Sequence, residues 1–177
     1  TKSHYELGFL ETVLEGKYRP GHFQGVCQVV DRFLNMVNPH KLYLGQKDFQ
    51  QCMVISTMIK LKNFNIEITI CPTLRESNGL AMSSRNKRLN TNERKLAGKI
   101  FEALSIVKRE LKIGNLTGLK TKAVRSLSAA GFKTDYFEIA DASSLTLVDN
   151  WDGKIKLVAL VATNLNDIRL IDNLVLN

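Results

Sequence analysis

Cysteine is scarce in this chain of 177 residues: Cys27, Cys52 and Cys71 stand alone, each in an apolar stretch. Three isolated thiols supply neither a disulfide framework nor a zinc site, so reduced core thiols are expected. No uninterrupted apolar run reaches membrane-spanning length and no basic-then-apolar signal opens the chain. A soluble, cytoplasmic protein with no membrane partner is the expectation. Acidic residues are outnumbered, 17 against 25 Lys and Arg, giving a net charge of +8. That balance favours small anionic partners such as nucleotides and carboxylates, unless the charge only coats solvated helix faces. Lys95, Lys99, Lys108, Lys112, Lys120 and Lys122 lie in helix-like segments without the interleaved aromatics of a nucleic-acid surface. Nucleic acid is not an expected partner. Internal repeats and low-complexity tracts are missing, as is an initiator methionine; Thr1-Lys2-Ser3-His4 reads as the middle of a longer polypeptide.

What is present is 44% apolar, enough for one ordinary domain or two small ones with a real core. Phe23, Val26, Cys27, Val30, Phe33, Leu34 and Val37 recur at helical spacing, with Pro20 expected in the first turn and Asn38-Pro39 closing the helix. A short buried strand is predicted over Lys41 to Gly45, a helix from about Asp48 to Lys60, and a second strand on the alternating Ile66, Ile68 and Ile70. Strand, helix, strand is a parallel unit whose ligand site lies at the carboxyl ends of its strands. After Asn90 the texture changes. Leu96, Ile100, Ala103, Leu104, Val107 and Leu111 share one helical face, a second amphipathic helix carries Leu119, Ala123, Val124 and Leu127 and ends at Gly131, and three strands follow around 135–139, 155–162 and 167–176. The predicted organisation is residues 1–88 as an α/β domain and 89–177 as a small α+β domain.

Two runs carry chemistry, GQKDFQQ at Gly45 to Gln51 and AMSSRN at Ala81 to Asn86. In the first, Gly45 permits close backbone approach, Lys47 supplies a point charge for phosphate, and Asp48 can accept from ribose hydroxyls at the head of a helix. Asp48 and Gln51 also have the spacing of a capping box, which would stabilise the helix by about 1 kcal/mol with no ligand. In the second, Ser83, Ser84 and Arg85 can wrap a triphosphate through hydroxyls and a guanidinium fork, with Gly79 as a flexible approach. Taken alone, Ser-Ser-Arg is common in ordinary turns.

Leu14-Glu15-Gly16, Arg19-Pro20-Gly21-His22-Phe23, GQKDFQQ, the run Pro72 to Asn86 and Arg169-Leu170-Ile171-Asp172-Asn173 together resemble the pantoate–β-alanine ligase family over nearly the whole chain. The resemblance implies the second half of a Rossmann-like nucleotidyltransferase domain followed by a small α+β lid. It also implies a reaction in which pantoate and ATP form pantoyl adenylate and β-alanine then gives pantothenate, a coenzyme A precursor. By position it assigns Gly45, Gln46, Lys47, Asp48, Leu74, Met82, Ser83, Ser84 and Arg85 to ATP, with Lys47, Ser83 and Arg85 catalytic, and Gln51 to pantoate. The family commonly has Glu where Gln46 stands, a small departure if the position contributes backbone. Magnesium is expected with the nucleotide, no metal-ligating set is assigned, and a homodimer is implied for the full-length enzyme. The family's His-x-Gly-His element is not in this sequence, whose histidines are His4, His22 and His40. The chain is therefore expected to be a catalytically incomplete carboxyl-terminal portion. The alternatives are a nucleotide-binding module without turnover and, from charge alone, a nucleic-acid binder.

Overall fold

The structure is a computed structural model and describes residues 4–177; Thr1, Lys2 and Ser3 of the opening run lie outside the described residues. Contacts divide the chain into two compact units, Thr1–Pro72 and Thr73–Asn177.

The first unit begins with a 3₁₀ turn, Gly8–Glu11, and a short helix, α1, Leu14–Tyr18. Helix α2, His22–Val37, buries Phe23, Cys27, Asp31 and Leu34 on one face. Pro20 is not in its first turn as expected: Gly21, at φ 76°, forms the N-cap and displaces the helix start to His22. Asn38, at φ 48°, donates its backbone N–H to Leu34 O and ends the helix before Pro39. Strand β1, Lys41–Gly45, leads through the 3₁₀ turn Gln46–Asp48 into α3, Phe49–Leu61, and strand β2, Glu67–Cys71, follows. β1 and β2 pair in parallel, Lys41 opposite Glu67 through Gly45 opposite Cys71. This is the predicted strand, helix, strand unit. The prediction that β1 is buried fails: its residues alternate exposed and half-buried, because among the described residues its sheet has two strands and leaves a flank of each without a neighbour. α3 buries Gln50, Cys52, Val54, Ile55, Met58 and Ile59.

Gln50 and its neighbour Gln51 behave differently. Gln50 is 4% exposed; its Oε1 accepts from Glu15 N at 3.0 Å and its Nε2 donates to Leu10 O at 2.8 Å and Val13 O at 3.0 Å. Three bonds to the main chain lock the α1 segment onto α3 and hold Leu14 at φ 47°, a left-handed conformation that a leucine does not adopt unaided. At the other end of α2, Asp31 accepts from Tyr5 Oη at 2.7 Å and from Asn35, with Lys62 at 3.4 Å. Burial pushes its carboxyl up, but the bonds from Tyr5, Lys62 and Asn35 prevail and hold it below the usual carboxylate range.

The second unit opens with a hairpin-like turn in which Arg75 bridges Ala81, then the 3₁₀ segment Ser84–Arg88. Helix α4, Thr91–Ala97, starts on a full capping box, Asn90 accepting from the backbone of Asn92 and Glu93 while Glu93 accepts from Asn90 N. The single apolar face predicted through Leu111 is divided: α4 stops at Gly98 and α5 runs Lys99–Glu110. After β3, Gly114–Asn115, helix α6 spans Thr117–Ala129, and Gly131 follows at φ 86°. Strands β4, Lys133–Asp141, β6, Leu157–Leu165, and β7, Ile168–Val175, form an antiparallel sheet in the order β4-β6-β7. The short β5, Asn150–Trp151, pairs with β3. Ile100, Leu104 and Val107 of α5 and Leu116 and Leu127 join Ile139, Leu157, Ala159 and Val161 in one core. Helices before a run of strands form the α+β arrangement the pattern predicts.

The division after Pro72 comes ahead of the boundary predicted between 88 and 89. Residues 73–88 belong to the second unit because Arg75 is paired with Asp172, Glu76 with Arg94, and Arg85 with the carbonyl of Arg169. Of the lysines in the helical segments, Lys99 pairs with Glu102, Lys120 with Glu138 and Asp149, and Lys122 with Glu110.

Candidate functional site

In the first unit, the chain leaves the carboxyl end of β1 at Gly45 and turns through Gln46, Lys47 and Asp48 into α3. Nothing internal requires glycine at 45. Its φ of −79° and ψ of 126° suit any residue, and an added Cβ would meet no atom within 4 Å. The open space beside this backbone is what a closely approaching ligand would use. The Lys47 side chain is 19% exposed, and its ammonium lies 3.7 Å from Asp48 Oδ1. A cation ahead of a helix start is opposed by the helix dipole, so an anion placed there relieves the position.

The capping box expected of Asp48 and Gln51 does not form. Asp48 is the N-cap of α3 but makes no side-chain cap bond, because the preceding 3₁₀ turn leaves it at φ −95°, ψ 57°, away from the extended backbone that aims a capping oxygen. The first N–H groups of α3 are left without that cap. Gln51 is half-buried, its amide has no hydrogen-bond partner among the described residues, and it lines an open groove of about 590 Å³ with Gly21, His22, Gly25, Val26, Val29 and Val30. An unpaired amide over valines suits a small ligand with a carboxylate or hydroxyl at one end and an apolar body. Cys52, the next residue, donates to Gly45 O at 3.3 Å. Burial, with Asp48 nearby, pushes its thiol up to about 11, and burial, with Glu11 and Asp31 nearby, pushes Cys27 up to about 12. Neither is a nucleophile at neutral pH.

In the second unit, the turn carrying Met82, Ser83, Ser84 and Arg85 is braced throughout. Met82 N donates to Leu74 O at 2.9 Å, and Glu76 N to Leu80 O at 2.8 Å. Gly79 is no flexible approach, as expected from the sequence, but a fixed corner at φ 87° where a Cβ would lie 2.5 Å from Phe101 Cδ1. Ser83 Oγ accepts from Arg85 N at 3.2 Å and so caps the 3₁₀ segment, while the exposed Ser84 hydroxyl makes no hydrogen bond among the described residues. Arg85 is half-buried and donates through Nη1 to Arg169 O at 3.1 Å. Leu74, 74% exposed, and Met82, 53% exposed, present apolar surface beside these polar groups. Beneath them Asn86, 3% exposed, donates to Glu76 Oε1 and Ala81 O, and Glu76 accepts twice from Arg94. Those bonds from Arg94 and Asn86 hold the Glu76 carboxyl below its usual range.

The family model for pantoate-beta-alanine ligase matches residues 3–175. The chain belongs to that family. A pantothenate synthetase of Azobacteroides pseudotrichonymphae is 42% identical over 96% of this chain and 61% of its own length. One from Bacteroides fragilis is 43% identical over 93% of the chain and 59% of its own length. Pantothenate synthetase from Thermus thermophilus superposes with a TM-score of 0.86 at 34% identity, covering 98% of this chain and 62% of that one. The Francisella tularensis pantoate-beta-alanine ligase, in complex with beta-gamma ATP and beta-alanine, gives a TM-score of 0.71 at 34% identity over 99% of this chain and 57% of that one. The α/β class expected from the sequence agrees with these neighbours. The chain spans about three fifths of the length of the pantoate–β-alanine ligases it matches.

Among residues assigned from sequence, each unit brings its own set together: Gly45, Gln46, Lys47, Asp48 and Gln51 in one turn and helix start, and Leu74, Met82, Ser83, Ser84 and Arg85 in one hairpin and 3₁₀ segment. Sequence reasoning missed Gln50, Glu76, Asn86 and Asp172, the side chains that hold those turns. Asp172 lies in the Arg169 to Asn173 run, the one available signal, but its partner Arg75 is 97 residues away.

Proposed function

We propose that this chain carries the ATP- and pantoate-binding turns of a pantothenate synthetase. The observation that supports it best is the Gly45–Asp48 turn: an open backbone, a lysine with a largely buried side chain and a helix start with no side-chain cap at the end of a parallel strand. A pantoate carboxylate oxygen attacks the α-phosphorus of ATP and pyrophosphate leaves, giving pantoyl adenylate. The β-alanine amine then attacks the acyl carbon, AMP leaves, and the amine loses its proton. Both steps need alignment and charge stabilisation more than a protein nucleophile. Lys47 and Arg85 supply positive charge, Ser84 supplies a free hydroxyl, Ser83 sets the turn, and Gly45, Gln46 and Asp48 provide close backbone and a ribose acceptor. Leu74 and Met82 offer apolar contact to the nucleoside, and Gln51 holds pantoate. The lid role belongs to residues 89–177. Among the described residues no group of three His, Cys, Asp or Glu forms a metal site. Magnesium would accompany ATP, held mostly by substrate and water, and no step is routed through it.

The test uses a full-length synthetase, in which this chain is joined to the further portion expected from the relatives' greater length. Lys47→Ala there is expected to lower the adenylation rate at least about 100-fold by removing charge from the transferring phosphoryl group. A change under about threefold removes Lys47 from the catalytic set. Residues 1–177 alone, with no His-x-Gly-His element, are expected to form no pantothenate until that portion is supplied. Turnover by these residues alone would refute the incomplete-enzyme reading. Nucleotide binding with no turnover after the portion is supplied would favour a binding module.

A further inference from the structure

Two arginines flank the Ser83-Ser84 pair, and charge alone does not say which meets a ligand. Arg75 donates Nη1 to Asp172 Oδ2 at 2.6 Å and to Gly79 O at 3.0 Å, and Nη2 to Asp172 Oδ1 at 3.0 Å and to Asn173 O at 3.3 Å. Its guanidinium also lies 4.0 Å from the centroid of the Phe101 ring. The fork is filled by a carboxylate whose side chain is 2% exposed, and a flat face is filled by the ring. Both terminal nitrogens and one face are thus occupied, and only Nε–H is left for a phosphate. Arg85 is the reverse: Nη1 is tied to Arg169 O, while Nε and Nη2 have no partner among the described residues.

Asp172 and Arg169 lie on the same strand, β7, held in register against β6 with Asp172 opposite Val161 and Arg169 opposite Asn164. Asp172 fixes the residue where the hairpin begins, since Arg75 bridges Ala81 and Leu74 O takes Met82 N. The Arg169 carbonyl fixes the far end through Arg85. One strand thus holds both ends of the turn.

We propose that Asp172 is a positioning residue: acting through Arg75, it sets the Met82–Arg85 turn for ATP, and Arg85 alone of the two arginines touches the nucleotide. This rests on the function proposed above. Loss of the Asp172 charge frees the Arg75 end and lets the turn shift against β7 while the substrate contacts elsewhere persist.

Steady-state kinetics of the whole synthetase test it, with Asp172→Asn, Arg75→Lys and Phe101→Leu each measured against ATP, pantoate and β-alanine. For Asp172→Asn the KM for ATP is expected to rise about 10-fold, with the other two KM values within about twofold, because misplacement at a binding turn is felt by the ligand it contacts. Arg75→Lys is expected to behave like Asp172→Asn, a point charge being unable to fill the bidentate site. Equal rises for all three substrates, or no rise for ATP, would overturn the assignment. Should Asp172→Asn fail to fold, Phe101→Leu removes only the ring face; a rise of about threefold for ATP alone supports the assignment, and an unchanged value refutes it. A wild-type synthetase that does not use ATP would sink the functional reading itself, whereas an active wild type with an unmoved Asp172→Asn sinks only the positioning role.

Discussion

The two turns proposed to handle ATP stand on different foundations. Gly45–Asp48 leaves a strand in a two-stranded parallel sheet whose Tyr43 is 62% exposed, and it enters a helix with no side-chain cap. Met82–Arg85 is held by β7, whose neighbour β6 is buried along almost its whole length. A pair of strands alone is marginal in water, while a covered sheet is rigid. Composition contributes to this difference, since β6 is almost wholly aliphatic and β1 has only two leucines. The number of neighbours adds to it: β6 pairs on both sides, β1 with β2. The first turn enters its helix without a side-chain cap, and the second has bracing that exposes one hydroxyl and part of one guanidinium.

Hydrogen exchange on residues 1–177 sharpens the contrast most. Amides of β1 are expected to exchange about a thousandfold faster than those of β6, since local opening ranges from nearly free to the global unfolding energy. The unpaired strand flank should also make the chain self-associate. Uniform protection in a dilute monomer would erase the distinction. Next in size, Gln51→Glu in the whole synthetase places a negative charge against a carboxylate ligand and should raise the KM for pantoate about 10-fold, with that for ATP little changed. Equal effects on both would make Gln51 structural, like Gln50. Gly45→Ala should weaken ATP binding about threefold while leaving the unfolding free energy within about 0.5 kcal/mol, because the methyl meets space and not protein. A loss of stability would show that the glycine serves the fold.

The smallest effect concerns acid. Because the Glu76 carboxyl is held low by Arg94 and Asn86, its contribution is fully present above the ordinary glutamate value of about 4.3 and is lost as pH falls through the depressed one. Asp31 follows the same sign, with its loss beginning below the ordinary aspartate value of about 3.9. Acid titration of Glu76→Gln should show a shallower loss of stability in that range than the wild type. Identical curves would detach the second turn's bracing from this carboxylate.

Sequence signals are legible where local physics decides. The span Lys41–Gly45, the helix after Asp48 and the polar start at Asn90 are all present. The capping pattern shows the limit. Asn90-x-x-Glu93 forms its box and Asp48-x-x-Gln51 does not, since Asn90 sits on extended backbone at ψ 173° while a 3₁₀ turn twists Asp48 out of it. Gln50 and Gln51 are equal as letters, and only packing against the α1 segment separates a buried brace from an open amide. The apolar residues of β1 suggest a buried strand, but burial depends on neighbours that no strand carries in itself. Asp172 is illegible as a support because its partner is remote in the chain and adjacent only after folding.

The tie between Arg75 and Asp172 also orders events during synthesis. Ninety-seven residues separate the pair, so a ribosome adding about 5 to 20 residues per second leaves the arginine waiting roughly 5 to 20 s for its carboxylate. Through that interval the serine-bearing turn has only the bonds within its own hairpin, although every residue of it has already emerged. The nucleotide role proposed for that turn therefore waits on β7, and a premature stop shortly before β7 would release a product with the whole motif spelled out but without its ties to Asp172 and the Arg169 carbonyl.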